Sequence, residues 1–270
     1  MEISMKKLNL SQKRKREIAT GYLFIFPLFL GLGIFHFYAF FNNIWISFTN
    51  KKALKDGIFV GLENYAKVMQ DNNFWQSLGN TVWYVVICVP CVIVISTILA
   101  VMLNIQIRGK GIFRTLIFFP LVTAPSAIAM TWRWLLNTRY GMVNNILQSL
   151  GLETVAWLTD EKYTLISCAV VIIWGAIGYQ VIVILAGLQN ISTTYYEAAR
   201  IDGANSFKQF FYITLPLLLP AITTSVVLNL IGGLKLFGII LSTTSGGPGY
   251  SSHSLSTLIN YLYFQNQNAG

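Results

Sequence analysis

The sequence predicts an all-α integral membrane protein, built as a polytopic helical bundle with five spans and one cytoplasmic helix. Of the 270 residues, 54% are hydrophobic and 11% are charged, whereas a soluble domain carries about 25% charged residues. The charged residues gather in short segments that separate long apolar runs. A backbone in lipid must satisfy its own hydrogen bonds, and the length and unbroken apolar character of these runs indicate helices rather than barrel strands.

Five apolar runs are long enough to cross a bilayer core of about 30 Å, which needs roughly 20 helical residues. They are approximately 18–41, 81–103, 112–136, 164–188 and 215–241. The first is longer than the apolar core of a cleaved signal peptide, and no small-x-small cleavage site closes it, so we expect a retained helix. One more apolar stretch, at 255–264, is too short to cross.

The positive charges predict the orientation. Six of the nineteen Lys and Arg residues lie within the first sixteen positions, directly before the first apolar run. With the N-terminus inside the cell, the cytoplasmic segments carry eleven Lys and Arg residues and the outer segments carry seven, which satisfies the positive-inside rule. The same clustering argues against a nucleic-acid partner, because no basic face with interleaved aromatic residues appears elsewhere.

This orientation divides the chain into three segments. Residues 1–17 form a basic cytoplasmic N-terminus, and residues 18–242 form a transmembrane domain that includes a cytoplasmic loop at 192–214. Residues 243–270 form an outer loop, so five spans leave the C-terminus outside the cell.

The loop at 192–214 carries the signals of a short cytoplasmic helix. Thr194 and Glu197 have the spacing of a capping box, which predicts that the helix begins there. Small and aromatic residues then recur every three or four positions, which predicts one helical stripe. The stripe consists of Tyr196, Ala199, Gly203, Phe207 and Phe210. Such a helix docks into a groove on a partner or lies on the lipid headgroups, and the residues alone leave both interpretations open.

The same loop resembles a known family. Glu197-Ala198-Ala199, followed by Gly203 and then Leu215-Pro216, resembles the EAA signature of bacterial ABC-importer permeases. The longer string from Glu197 to Ala204 is similar to the carbohydrate-uptake branch, which the maltose and multiple-sugar permeases typify.

Further matches follow in the family's order along nearly the whole chain. They are Gly21-Tyr22-Leu23 with Pro27, Gly61-Leu62-Glu63-Asn64-Tyr65, Phe74-Trp75 with Asn80-Thr81, Trp132-Arg133-Trp134 with Gly141 and Asn144, and Thr244-Ser245-Gly246-Gly247-Pro248. A lone Glu-Ala-Ala triplet carries no information, but this ordered series is specific.

The resemblance implies that the cytoplasmic helix is a coupling helix, held in a cleft of a separate ATPase. Glu197 would be its polar anchor, and Ala198, Ala199 and Gly203 would allow close approach. Asp202 would fix the turn. Leu215 and Pro216 complete the signature where the last span opens. The chain has no Gly-x-x-x-x-Gly-Lys-Ser/Thr loop and cannot hold the nucleotide itself, so we expect a transport subunit rather than an enzyme.

The resemblance also implies partners and a location. The partners are a second homologous permease subunit, two cytoplasmic ATPase subunits, an extracytoplasmic solute-binding protein and a carbohydrate solute. The location is the lipid of the bacterial cytoplasmic (inner) membrane, and no cofactor is implied. Family members continue past the Gly-Gly-Pro loop into a sixth helix, which this chain ends too early to form. We therefore expect that the sequence is incomplete.

Polar groups inside spans are costly in lipid and are therefore candidates for the solute pathway. On the fifth span, Asn229 and Gly232 share a face with Ser225 and Leu236. The other candidates are Trp174, Tyr179 and Gln180 on the fourth span and Lys235 on the fifth. The family places solute contacts on these two helices, which favours Tyr179 and Asn229. The alternative is that these residues bond helix to helix.

The sequence also bears on three other functions. A glycerol-phosphate or polyol permease is the closest alternative, and Lys235 is the only cation available to a phosphate. An ion-coupled transporter or a channel needs intramembrane carboxylates or a filter, and none of the five spans contains Asp or Glu. A membrane enzyme needs a catalytic cluster, and His36 and His253 have no acidic partners at suitable spacing.

Overall fold

The computed structural model describes residues 12–52, 57–105 and 109–264. Most of the predicted N-terminal segment 1–17, together with Lys55 and Arg108, lies outside the described residues. Within them the regular elements are helices, accompanied by one isolated bridge between Thr49 and Phe59. The chain divides into two compact units, 1–67 with 266–270 and 68–265.

The first unit is built on one long helical stretch. It runs through α1 (Gln12–Leu32), a π-helical segment (Gly33–Tyr38) and α2 (Ala39–Ser47). The continuous stretch Arg14–Ser47 is long and apolar enough to cross a membrane, which confirms the predicted first span. Most of its large apolar side chains are exposed, so this helix has a surface suited to lipid or to another protein.

Asn64 and Tyr65 connect the segment after α2 to the end of that helix. Asn64 lies in α3 (Glu63–Gln70), and its Nδ2 donates to the backbone oxygens of Ser47 and Thr49 at 2.9 and 2.8 Å. The Tyr65 hydroxyl lies 2.8 Å from Ser47 Oγ. The family match that contains Asn64 and Tyr65 therefore has a structural role, because its side chains bind the end of α2.

The second unit is organised around α4 (Asn72–Asn104) and α8 (Glu161–Gln189), which pack along each other, with α11 (Leu215–Leu234) against both. Both α4 and α8 begin at an aspartate whose side chain accepts a backbone N–H two residues on, Asp71 from Asn73 and Asp160 from Lys162. Such caps satisfy amides that have no helical partner. Both helices qualify as membrane spans, which confirms the predicted second and fourth spans.

The core between these three helices is apolar and close-packed. It consists of Ala100, Leu103, Val181, Ile184, Leu185, Leu188 and Leu218. At the crossing of α8 and α11, a Cβ added to Gly187 would lie 2.5 Å from the Cβ of Ala221. Glycine is therefore needed here for close approach, as in other membrane helix pairs where small residues bring backbones together.

The predicted third span, 112–136, is not one continuous helix. It is divided into α5 (Lys110–Val122) and α6 (Pro125–Leu135), which meet at an angle of 106°. Proline disfavours the helical region for the residue before it, and Ala124 accordingly has an extended ψ of 137°. The described chain thus has four long apolar helices and one bent pair, which gives five spans only if the pair is counted as one.

The predicted fifth span, 215–241, also ends early. The helical run that starts at Ser206 passes through α10 (Ser206–Gln209), a π-helical segment (Phe210–Thr214) and α11, and it stops at Leu234. After a break the chain forms α12 (Gly238–Thr243). Ser254 Oγ donates to the free Leu236 carbonyl at 2.5 Å. Because two glycines precede the break and a third follows it, helix propensity is weak at this point.

Two short helices complete the second unit, α7 (Met142–Ser149) and α13 (Leu255–Phe264). Asn144 of α7 is buried: its amide donates to the carbonyls of Thr138 and Val155 and accepts from Val155 N–H and Trp157 Nε1. The Trp-Arg-Trp match is thus followed by an outer segment built around one amide. Helix α13 coincides with the short apolar stretch noted in the sequence.

Candidate solute cavity and coupling helix

A cavity of about 350 Å³ lies between α4, α8 and α11. Four residues predicted for the solute pathway line it: Tyr179 and Gln180 from α8, and Asn229 and Gly232 from α11. No charged side chain is among its lining residues. The cavity offers neutral hydrogen-bonding groups on an apolar background, which is the usual composition of a small-molecule site.

Two amides give the cavity its polar character. Gln180 is 4% exposed, and its Oε1 is buried without a hydrogen-bond partner in the described part of the chain. Asn229 Nδ2 donates to the Ser225 carbonyl at 2.9 Å, which leaves Oδ1 free to accept. A buried amide oxygen without a partner is costly. We therefore expect that a group outside the described chain donates a hydrogen bond to Gln180 Oε1.

The cavity also contains residues that the sequence analysis missed. Tyr84 and Cys88 of α4 form part of its wall. Together with Asn80 they recur every four positions, and this spacing places all three on one face of the helix. This four-residue spacing is visible in the sequence, where the same segment is predicted only as a membrane span.

Two predicted pathway residues do not line the cavity. Trp174 packs edge to face against Trp132, with ring centroids 5.9 Å apart, beside the apolar cluster of Ile128, Leu136 and Val171. Lys235 lies just beyond the end of α11 rather than within a span, and its side chain is exposed.

The loop at 244–254 is hydrogen-bonded to side chains of α4. Asn80 Nδ2 donates to the carbonyls of Tyr250 and His253, both at 3.1 Å. The Leu255 N–H donates to Thr81 Oγ1 at 2.9 Å. The Tyr84 hydroxyl donates to the Ser252 carbonyl at 3.4 Å. The Asn80-Thr81 match thus has a physical role, since these side chains satisfy the backbone of a distant loop.

His253 is buried within this loop. Its ring lies between Tyr250 and Tyr261, with centroid separations of 5.2 and 5.7 Å, and its Nδ1 is 3.1 Å from Thr257 Oγ1. Burial lowers the pKa of His253 below its ordinary value of 6.5, because a charged imidazolium loses its hydration there.

Acidification is therefore expected to destabilise the loop at 244–254. The folded chain prefers neutral His253, so the unfolded chain binds more protons as the pH falls below about 6.5. The contribution of His253 to stability is complete above that pH and is lost as the pH falls through the lowered pKa. Thermal unfolding in detergent, measured between about pH 7.5 and 5, should show this loss in the wild type. The His253→Gln variant should show a weaker dependence, and an equal one would contradict the assignment.

The loop at 192–214 contains α9 (Thr193–Ile201). The cap is Ser192, whose Oγ accepts the Thr194 N–H at 3.4 Å, so the capping box predicted at Thr194 and Glu197 is wrong. The predicted stripe from Tyr196 to Phe210 is also wrong as one helical face, because α9 ends at Ile201 and a new helix starts at Ser206. Tyr196 faces its own chain and its hydroxyl lies 3.0 Å from Thr214 Oγ1.

Gly203 makes the turn after α9. Its φ is +78°, a conformation that glycine adopts without strain. Its N–H donates to the Arg200 carbonyl at 3.1 Å, and the Ala204 N–H donates to the Ala199 carbonyl at 2.8 Å. This is a Schellman motif. Gly203 therefore makes the turn directly after Asp202, and the role that the resemblance implies for Asp202 stays a prediction.

The outward face of α9 is unpartnered in the described chain. Glu197 and Ala198 are exposed, Asp202 is exposed just beyond the helix, and Ile201 is 88% exposed. Ala199 is half-buried. Leu215 and Pro216 occupy the first turn of α11. The seven signature residues thus lie in one connected segment but serve different purposes, and Glu197 and Ala198 point away from the rest of the chain.

These features define a polytopic helical membrane protein with an interhelical cavity and an exposed helix, α9, in the loop between α8 and α11. Residues 57–270 match the family described as the binding-protein-dependent transport system inner membrane component. The chain belongs to this family, and it is a multi-pass membrane protein.

Three relatives that are named as transport system permease proteins match this chain over most of their own length. The trehalose/maltose transport system permease protein MalF of Thermococcus litoralis is 35% identical over 93% of this chain and 85% of its own. The lactose transport system permease protein LacF of Rhizobium radiobacter is 35% identical over 94% and 86%. The multiple sugar-binding transport system permease protein MsmF of Streptococcus mutans is 34% identical over 90% and 84%.

A solved structure shows the same fold. It is a chain of a bacterial alginate ABC transporter in complex with an alginate pentasaccharide-bound periplasmic protein. The TM-score is 0.81 and the match covers 95% of this chain and 87% of that chain, at 23% identity. The predicted all-α membrane fold is therefore confirmed.

Proposed function

We propose that this chain is the permease subunit of an ATP-driven sugar importer and forms half of its translocation pathway. The observation that carries the proposal is the uncharged cavity, where Tyr179, Gln180 and Asn229 converge. A sugar presents hydroxyl groups that both donate and accept, together with apolar ring faces. The amides supply both kinds of partner, and the aromatic and aliphatic lining supplies the apolar contact. The named sugars of the relatives support this solute class.

The shape of the cavity supports a second permease subunit. Tyr179 is 44% exposed and Gly232 is exposed, so the cavity is open along the side that α8 and α11 leave uncovered. A homologous subunit placed there would complete the wall. In the inner membrane we place the N-terminus and α9 in the cytoplasm, where the outward residues of α9 contact one of two separate ATPase subunits. The solute-binding protein delivers the sugar from the other side.

The alternatives receive less support from the same cavity. A glycerol-phosphate carries charge that calls for a cation, and Lys235 lies outside the lining. An ion-coupled mechanism calls for a carboxylate along the pathway, and none lines the cavity. Neutral solutes are therefore favoured.

The test is uptake into proteoliposomes that contain the full chain with its partner subunits and binding protein. Uptake of a neutral disaccharide should require internal ATP and should continue after an ionophore has removed every ion gradient. Uptake that persists without ATP while a gradient is present would overturn the proposal. A Walker lysine variant of the ATPase subunit serves as the control, because it leaves the permease unchanged.

A further inference from the structure

A second pocket, of about 290 Å³, lies near the outer ends of the helices. It is formed by the last turn of α6, the turn before α8 and the loop after α12. Its lining includes Arg133, Leu158, Thr159, Thr243, Ser245 and Pro248. It shares no lining residue with the cavity between α4, α8 and α11. Two of the family matches, Trp-Arg-Trp and Thr-Ser-Gly-Gly-Pro, meet here, and the cavity proposed for the solute uses neither.

Arg133 is the only charged residue that lines this outer pocket. Its side chain forms no ion pair with any acidic residue in the described ranges. Glu161, the first residue of α8, does not line the pocket. A guanidinium group carries five donors and no acceptor, so Arg133 presents donors to whatever occupies the pocket.

The hydroxyl groups of the pocket present acceptors. Thr243 Oγ1 donates its proton to the Ile239 carbonyl at 2.7 Å, and Ser245 Oγ donates to the Leu241 carbonyl at 3.1 Å. Each proton is therefore already used within α12, and the lone pairs of these oxygens remain available. A ligand that fits must accept hydrogen bonds from Arg133 and donate hydrogen bonds to Thr243 and Ser245. The hydroxyl groups of a sugar do both, whereas a simple anion only accepts.

The outer pocket lies on the way to the inner cavity. Ile239 lines the inner cavity and Thr243 lines the outer pocket. They are one turn apart on α12, a rise of about 6 Å. Ile239 and Leu158 also pack on the apolar cluster of Ile128, Leu136 and Val171. A residue of each space therefore packs on the same apolar cluster.

We propose that the outer pocket is an entry subsite that binds one sugar unit, with Arg133 as its anchor. The proposal rests on the proposed function, because it assigns a second saccharide subsite to the same pathway. A neutral unit is held through hydroxyl groups, and a uronate unit is held more tightly because its carboxylate pairs with the guanidinium in two parallel hydrogen bonds.

The test measures binding of two monosaccharide probes, methyl α-glucoside and glucuronate, by saturation-transfer NMR. The sample is the full chain assembled with its partner subunits in nanodiscs, without the binding protein. Arg133→Gln should weaken binding by about five-fold for the glucoside and by more for glucuronate. Thr159→Val is a second, milder variant. Arg139→Gln is the matched control, because Arg139 is an exposed outer arginine that does not line the pocket.

Equal binding of both probes to the wild type and to Arg133→Gln, or an equal loss in Arg139→Gln, would overturn the entry subsite. So would the absence of saturable binding. ATP-dependent uptake by the wild type, measured in parallel, separates the two proposals. If uptake proceeds while the probes ignore Arg133, only the subsite is wrong; if uptake needs no ATP, the proposed function fails instead.

Discussion

Replacing Ala198 by tryptophan is expected to abolish coupled transport while the permease itself stays folded. Ala198 is exposed on the outward face of α9, beside Glu197. A larger side chain there meets nothing in its own chain, so its cost to folding is small. In the proposed assembly the same position lies against the ATPase, where close approach requires a small residue. A clash at the centre of an interface costs about 2 kcal/mol or more, or about thirty-fold in affinity.

The measurement combines two assays on Ala198→Trp. Sugar uptake and solute-stimulated ATP hydrolysis should both fall by at least about ten-fold, and the ATPase should dissociate from the permease in detergent. Ser149→Trp is the matched control, because Ser149 is an exposed helical residue of α7 on the proposed outer side. If Ala198→Trp retained full uptake, α9 would instead be a helix that rests on lipid headgroups.

The sequence predicted the membrane fold because the length of an apolar run is the main signal of a membrane-spanning helix. Long apolar runs at 81–103 and 164–188 correspond to α4 and α8, since lipid leaves the backbone no alternative to helix. The two breaks were not predicted, because hydropathy does not record backbone direction. Pro125 explains the first break, but proline inside a membrane helix is often tolerated, and hydropathy gave no sign of which proline would turn the chain by 106°.

Part of the candidate site was also predicted from the sequence. Tyr179, Gln180, Asn229 and Gly232 share one cavity, as expected for polar groups on facing helices. Trp174 and Lys235 do not. Trp174 lies less than two turns from Tyr179 yet points to a different neighbour, and Lys235 was assigned to a span that ends before it. The roles of Asn80 and Arg133 depend on loops distant in sequence, which helical periodicity cannot bring together.

Gln180 offers the sharpest separation between a solute contact and a packing residue. Its Oε1 is buried and has no partner in the part of the chain that the structure describes. Replacement by leucine removes an unsatisfied polar group, which should raise the free energy of unfolding by about 1 kcal/mol. The same change removes a hydrogen bond to the proposed sugar and should lower uptake at limiting solute by about ten-fold. If Gln180 served only helix packing, its replacement by leucine would instead lower the free energy of unfolding.

Ser225→Ala is the matched control for Gln180→Leu. Ser225 Oγ is also buried without a partner among the described residues, but Ser225 does not line the cavity. Both variants should therefore be at least as stable as the wild type in thermal unfolding, and only Gln180→Leu should lose uptake. If Gln180→Leu lost stability in the assembled complex, its oxygen would accept a bond from the second subunit. If it kept full uptake, the inner cavity would have to hold its solute through Asn229 and Tyr179 alone.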